Sequence, residues 1–354
     1  MRPFFTKIGA DLWVAFSAGF ILLVSFAALF AHLIVPDKTQ YANQMQLAIH
    51  SQPPGFSCLF LLKPIEPNIL QEKDQIDLNY AEEIPISNYK FYDNKLIFQP
   101  FGAPPSQLDT LDLNMLLGAG TTQIKEDLIS KKKFYLGTDL YGRDLLSRLI
   151  LGTRISLGIG FIAVFISLIV GVFLGALAGY FGGTLDRLIM GLINVVWAIP
   201  TLLLVIAIVL VLGRGFWQVF LAVGLSMWVE VARVVRGQVK STKEKGYIKA
   251  VKSLGFSNSR ILFNHVLPTV VSSLIVISAA NFASAILMES GLSFLGIGAQ
   301  PPVPSWGGMV KDHFRYLLLG KAYLALLPGA AIMSLVFSFM LLGNGLRDLL
   351  DVRN

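Results

Sequence analysis

The sequence predicts an all-α membrane protein that crosses the bilayer six times. Apolar residues make up 54% of the 354 residues and charged residues only 14%. The mean hydropathy is +0.64, far from the average of soluble globular proteins, which excludes a soluble enzyme. A helix needs about 20 apolar residues to cross the bilayer core. Such stretches lie near residues 12–35, 155–180, 187–213, 215–232, 269–290 and 322–346.

The first apolar stretch follows Arg2 and Lys7, as the core of a secretory signal would. It is too long for a signal peptide and no small-residue cleavage site follows it, so we expect a retained anchor. With the N-terminus in the cytoplasm, six crossings place residues 36–154 outside and the C-terminus inside. Basic residues in the short loops agree, because such loops stay cytoplasmic.

Residues 36–135 form a polar extracytoplasmic insert between the first stretch, within residues 1–35, and a core of five spans in residues 136–354. Its prolines exclude a long helix. Residues 88–98 predict a β-hairpin, and residues 108–117 and 123–132 each predict a short helix. The insert is long enough for a small compact subdomain, and an irregular elaboration without a sizeable core fits the sequence equally well.

The segment LGTDLYGRDLLSR, residues 136–148, opens the core. Asp139 is placed to cap a helix, with Arg143, Asp144 and Arg148 on its polar faces. The sequence predicts an interfacial helix on the outer membrane surface. These acids and arginines also suit a catalytic site, but capping and ion pairing are more typical of such charge runs.

Small residues and prolines organise the spans that follow. Glycines at positions 158, 160, 171, 175 and 179 would let membrane helices approach closely. Pro200 predicts a kink in the third stretch. Glu289, near the end of the fifth, is either a functional group within the membrane or, as we favour, a structural one that meets headgroups or Ser290. Trp306 is expected to anchor the next Pro-rich loop at the interface.

A basic loop, residues 230–268, separates the fourth and fifth stretches, with eight Lys or Arg against two Glu. Apolar spacing predicts a helix over residues 247–254, which Gly255 can end with a positive φ. A second short helix, residues 260–266, is expected to stop at Leu267-Pro268 after a cap at Ser257 or Asn258. A helix–Gly–helix unit at a membrane surface suits docking to another protein. A solvated linker whose charge only fixes topology is the alternative.

This loop resembles the EAA loop of ABC importer permeases, in which E-A-A, three residues, Gly, nine residues and I-x-L-P follow one another. His265 takes the Ile position, whereas Lys249 replaces the expected Glu and Val251 the expected Ala. The residues that match the pattern are Ala250, Gly255, Leu267 and Pro268.

Further blocks resemble the dipeptide/oligopeptide (and nickel) branch of these permeases, in its second-permease or C type. They are LGTDxxGRDxxSR, FGGTLDRLIM, AIPTLLL, ESGLSFLGIGAQPPVPSWGGM and LLGNGLRDLLDVRN, the last with Asn344 where the family usually has Asp. The resemblance implies a type I ABC importer permease fold in the bacterial cytoplasmic membrane, covering the first span and residues 134–354.

The resemblance also implies partners: a homologous permease, two cytoplasmic ATP-binding subunits and an extracytoplasmic solute-binding protein. ATP and Mg would be bound by those subunits, because this chain has no G-x-x-x-x-G-K-[ST] loop, and we expect no cofactor, metal or nucleic acid of its own. Membrane lipid is a further expected contact. The residues expected to couple the chain to the ATPases are Tyr247, Ile248, Lys249, Ala250, Val251, Leu254, Gly255, Arg260, His265, Leu267 and Pro268.

Two other classes of function fit parts of the sequence. A transporter or channel driven by ion gradients would need a broken helix, for which Pro200 is a candidate, or acids at the membrane midplane. A membrane-anchored receptor would need residues 36–135 to fold and bind a ligand alone. Among the importers, the sequence does not choose between peptides, nickel and other solutes.

Overall fold

A computed structural model describes residues 11–64, 81–92, 95–113, 128–213 and 215–350 of the chain. It divides into two compact units. Unit 1 comprises residues up to 34, 149–315 and from 325 onward; unit 2 comprises residues 35–148 and 316–324.

Unit 1 is built from long apolar helices, in agreement with the predicted helical membrane class. The helices begin with α1 (Leu12–Leu29), α2 (Ala31–Ile34), α3 (Leu145–Phe181), α4 (Gly183–Trp197), α5 (Thr201–Leu212) and α6 (Phe216–Lys243). They continue with α7 (Gly246–Ser253), α8 (Asn258–Ile261), α9 (Leu267–Phe294), α10 (Trp306–His313) and α11 (Tyr323–Leu350). Within the described residues, five helices could cross a membrane, or six if the bent pair α4–α5 is one span.

Glycines fix the packing of α3 against α6. A Cβ on Gly175 would lie 2.5 Å from the Ala232 backbone oxygen, and one on Gly179 would lie 2.8 Å from the Arg236 oxygen. Only hydrogen at these positions lets the two backbones come this close, as the sequence predicted. Gly171 makes the same kind of approach, to Val231.

Pro200 breaks the third apolar stretch more strongly than a kink. Helices α4 and α5 meet there at 92°, since proline has no N–H for the helical ladder. Helix α4 is held to α6 by Arg236, whose Nη2 donates to Asp186 Oδ2 at 2.7 Å. The Arg233 guanidinium also lies 3.6 Å from the Trp197 ring centroid.

In unit 2, the insert carries a five-stranded antiparallel sheet that the sequence analysis did not find. The strands are β1 (Phe56–Pro64), β2 (Ala81–Tyr92), β3 (Lys95–Pro100), β4 (Asp109–Asp112) and β5 (Ile129–Phe134), in the order β4-β3-β2-β1-β5. The arms of the predicted hairpin pair as β2 and β3, with Tyr92 opposite Lys95. The turn between them lies outside the described residues.

The two short helices predicted in the insert are wrong where the structure describes them. Residues 109–112 and 129–134 are strands, and the rest of both segments lies mostly outside the described residues. The sheet has its own core on both faces, because successive side chains of a strand point to opposite sides. Leu61 packs with Ile86 and Leu96 on one face, and the neighbouring Phe60 packs with Phe134 on the other.

The predicted interfacial helix over residues 136–148 is also wrong, since α3 begins only at Leu145. Gly137 and Gly142 have positive φ and fold the preceding residues into turns. Asp144, whose Oδ2 accepts from the Ser147 N–H at 2.8 Å, caps the helix instead of Asp139. Burial raises the pKa of the Asp144 carboxyl.

Asp139 forms a buried ion pair in these turns, which agrees with the favoured structural role. Its Oδ2 accepts from Arg143 Nε at 2.6 Å, and its Oδ1 accepts from the Arg143 N–H at 2.9 Å. Arg148 Nε lies 3.8 Å from the same carboxylate. Arg143 and Arg148 do not form the polar helix faces that were expected, because both are buried.

Two residues near the C-terminal end of α9 test expectations from the sequence. Glu289 is fully buried, and its Oε1 accepts from Ser293 Oγ at 2.7 Å, with Ser290 Oγ at 3.5 Å from Oε2. It therefore meets serines, as the structural interpretation allowed, and not headgroups. Trp306 is not an exposed anchor: it is buried, and its Nε1 donates to the Leu149 oxygen at 2.8 Å.

Candidate functional site

The predicted helix–Gly–helix unit is present between α6 and α9. Helix α6 ends at Lys243, and α7 begins three residues later at Gly246. Gly255 has φ +83, and nothing lies within 4 Å of a Cβ built on it, so the backbone conformation alone requires glycine. Ser257 Oγ accepts from the Arg260 N–H at 3.4 Å and caps α8, as predicted.

The second helix of the unit does not stop at Leu267-Pro268, contrary to the sequence prediction. A π-helical turn, Leu262–Val266, joins α8 directly to α9. Pro268 lies in the first turn of α9, where a missing N–H is tolerated. The loop is therefore continuous in helical structure with a membrane span.

One side of the loop is anchored in the helix bundle. Ile248 and Ile261 are buried in a cluster with Val235 and Val239 of α6 and Val270 of α9. Val251 and Leu267 are partly buried against the same cluster. Of the predicted apolar set of α7, two members thus pack against the chain's own helices.

The other side of the loop presents apolar groups to the surroundings. Leu254 is 75% exposed, Tyr247 is 47% exposed and Phe263 is 64% exposed. Ala250 and Gly255 also lie on the exposed side. Exposed apolar side chains on a fixed backbone are typical of a docking surface for another protein.

The charged and aromatic residues of the loop form local pairs. Lys249, which stands where the permease pattern has Glu, lies 3.1 Å from Glu244 Oε2 with both side chains mostly exposed. The Arg260 guanidinium lies 4.4 Å from the centroid of the Phe256 ring. The His265 ring contacts the same phenylalanine, with 6.2 Å between the ring centroids. Phe256 thus links two predicted residues that are five positions apart.

The sequence analysis missed Phe256, Phe263 and Tyr180. Tyr180 lies at the end of α3, and its hydroxyl donates to Asn258 Oδ1 at 3.0 Å, which ties the loop to a distant helix. Phe263 follows the buried Leu262 in the π turn and is exposed. The apolar character of Phe256 and Phe263 in a basic loop was the available signal.

Comparison with known proteins finds a matching family and a similar solved structure. The family model described as "Binding-protein-dependent transport system inner membrane component" matches residues 171–354. A chain from an inward-facing structure of the MetNI methionine ABC transporter is 17% identical with a TM-score of 0.49, and the match covers 58% of this chain and 97% of that one.

Three curated relatives are permease proteins. The glutathione transport system permease protein GsiD of Pectobacterium atrosepticum is 42% identical, over 61% of this chain and 72% of the relative. The dipeptide transport system permease protein DppC of Alkalihalophilus pseudofirmus is 38% identical, over 72% of this chain and 80% of the relative. The oligopeptide transport system permease protein OppC of Bacillus subtilis is 36% identical, over 65% of this chain and 75% of the relative.

The family match covers just over half of the chain and includes the whole loop between α6 and α9. It supports the permease interpretation over a transporter driven by ion gradients, and it confirms the predicted family. The chain therefore belongs to the inner membrane components of binding-protein-dependent transport systems, the multi-pass permease subunits of ABC transporters that work with ATPase and partner permease subunits.

Proposed function

We propose that this chain forms half of the translocation pathway of an importer for peptides or similar solutes. Three relatives are named for transport of glutathione, dipeptides and oligopeptides, so short peptides are the substrate class that they favour. In this proposal a solute-binding protein delivers the peptide outside, where residues 36–135 lie, and both termini are cytoplasmic.

The single observation that carries the coupling part of the proposal is the two-sided loop of residues 246–268. Its buried side is fixed to α6 and α9, while Leu254, Tyr247 and Phe263 remain exposed. A subunit bound to the exposed side can therefore move two membrane helices by moving one loop.

Coupling requires the ATPase subunits to bind the two conformations of the permease with different affinity, since a partner shifts an equilibrium only by that difference. Two ATP-binding subunits, which hold ATP and Mg, would dock on this loop and on the corresponding loop of the second permease. The chain itself supplies no ATPase site. Lys249, Ala250, Arg260 and His265 would orient the docked face.

The first experiment is purification of the tagged chain in mild detergent, with mass spectrometry of the proteins that accompany it. We expect two ATP-binding subunits and a second permease of similar size. Reconstituted into liposomes with the binding protein, the complex should import di- to oligopeptides only with internal ATP. A chain that purifies without ATPases, or uptake that follows an ion gradient and needs no ATP, contradicts the proposal.

A further inference from the structure

Two cavities adjoin at the end of α3 beside the loop. The first, the basic cavity, has a volume of about 320 Å³ and includes Lys243, Lys249 and Lys252 in its lining. The second, the apolar groove, has a volume of about 410 Å³ and includes Ile169, Phe173 and Phe263. The two are adjacent, because Phe181 and Asn258 line both.

The basic cavity is suited to an anion. Three lysines and one acid, Glu244, line it, which leaves a formal charge of +2. Lys249 pairs with Glu244 through an exposed contact of the kind that contributes little. Lys243 Nζ donates to the Tyr180 backbone oxygen at 2.7 Å, which holds the ammonium at the cavity wall. A phosphate can therefore enter without breaking a buried ion pair.

The apolar groove has the length and location of a lipid chain. On α3 its lining runs from Ile169 to Phe181, a separation of 12 positions, or about 18 Å at 1.5 Å per residue. One leaflet of the hydrocarbon core is about 15 Å thick. All of its lining residues lie in two candidate membrane spans, Leu145–Phe181 and Asn258–Phe294. An acyl chain can therefore lie in the groove.

We propose that an anionic phospholipid binds here, with its phosphate among the lysines of the basic cavity and an acyl chain in the apolar groove. Basic pockets between membrane helices at the cytoplasmic side are typical sites for anionic headgroups. The proposal needs only the membrane location of α3 and α9, and it does not depend on ATPase docking.

A lipid at this site would act on the loop. Lys249 and Lys252 belong to α7, whereas the groove is formed by α3 and the turn that leads into α9. One bound lipid would thus hold α7 against the membrane surface, and transport would depend on the anionic lipid content of the bilayer.

The test is lipid binding to the full-length chain, measured by native mass spectrometry in detergent. Phosphatidylglycerol and phosphatidylcholine with identical acyl chains are titrated separately, with and without sn-glycerol 3-phosphate as a competitor. We expect phosphatidylglycerol to bind preferentially and the competitor, which lacks acyl chains, to displace it poorly.

The double variant K249Q/K252Q should lose about ten- to thirty-fold in phosphatidylglycerol affinity, because each lysine near an anionic surface contributes about fivefold. The matched control is K90Q/K131Q, which removes two exposed lysines from the insert. It should bind the lipid like the wild type.

Four results would overturn the proposal. They are equal affinity for the two lipids, unchanged affinity in K249Q/K252Q, an equal loss in the control, and full displacement by glycerol phosphate.

Discussion

Leu254→Asp tests the docking surface most directly. The side chain is 75% exposed and does not belong to the buried cluster of the loop. Its replacement should therefore change the free energy of folding by less than about 0.5 kcal/mol. Full burial of a leucine contributes about 1.5–3 kcal/mol, and three quarters of that is about 1–2 kcal/mol. We therefore expect the ATPase subunits to bind about 5- to 30-fold more weakly.

The assay compares ATPase subunits retained on the purified permease and peptide uptake into liposomes. Leu318→Asp is the matched control, since that leucine is 92% exposed but lies outside the loop, in unit 2. The control should retain the ATPases and transport normally. Equal ATPase retention and uptake in both variants would refute the assignment of the loop as the docking surface.

Four further predictions follow from single sites. Gly255→Asn should retain transport and Gly255→Val should lose it, because asparagine tolerates a φ of +83° and valine does not. Equal transport by the two variants would show that this turn does not matter. Gly175→Ala should destabilise the fold by about 1–3 kcal/mol through overpacking, and so lower the melting temperature measured in detergent. Gly191→Ala should not lower the melting temperature, because Gly191 has open space around it; equal shifts would contradict the close helix contact. Asp139→Asn should cost about 3–5 kcal/mol, because it removes the carboxylate charge that pairs with the buried Arg143 guanidinium, and protease resistance of unit 2 equal to the wild type would contradict this. Burial raises the pKa of the Cys58 thiol from 9.0 to about 11, so maleimide labelling at pH 8 should be about a hundredfold slower in the folded than in the denatured chain. The stability that the neutral thiol contributes should be present below pH 9 and be lost as the pH rises toward 11, and a flat stability profile there would refute this.

The composition and pattern of the sequence sufficed for the membrane class, the family and the position of the loop. Hydrophobic length is a local property, so the long spans α3, α6 and α9 could be predicted from runs of apolar residues. Gly255 could be predicted as the turn because a positive φ is a preference of the residue itself.

Tertiary structure decided the features that depend on distant partners. The insert was predicted with helices where β4 and β5 form, because strand pairing joins residues far apart, such as Cys58 with Lys132. The same cause hid the burial of Asp139, since it lies between Gly137 and Gly142, whose backbones approach Gln52 and Gln46 closely.

The exposed and buried sides of the loop also needed the tertiary structure. Ile248 and Leu254 both fit one apolar helix face in the sequence, yet Ile248 packs on α6 while Leu254 caps α7 and stays exposed. In the π turn, Leu262 and Val266 are buried whereas Phe263 is exposed. Periodicity specifies which residues share a helix face, but only the packed neighbours determine which face is covered.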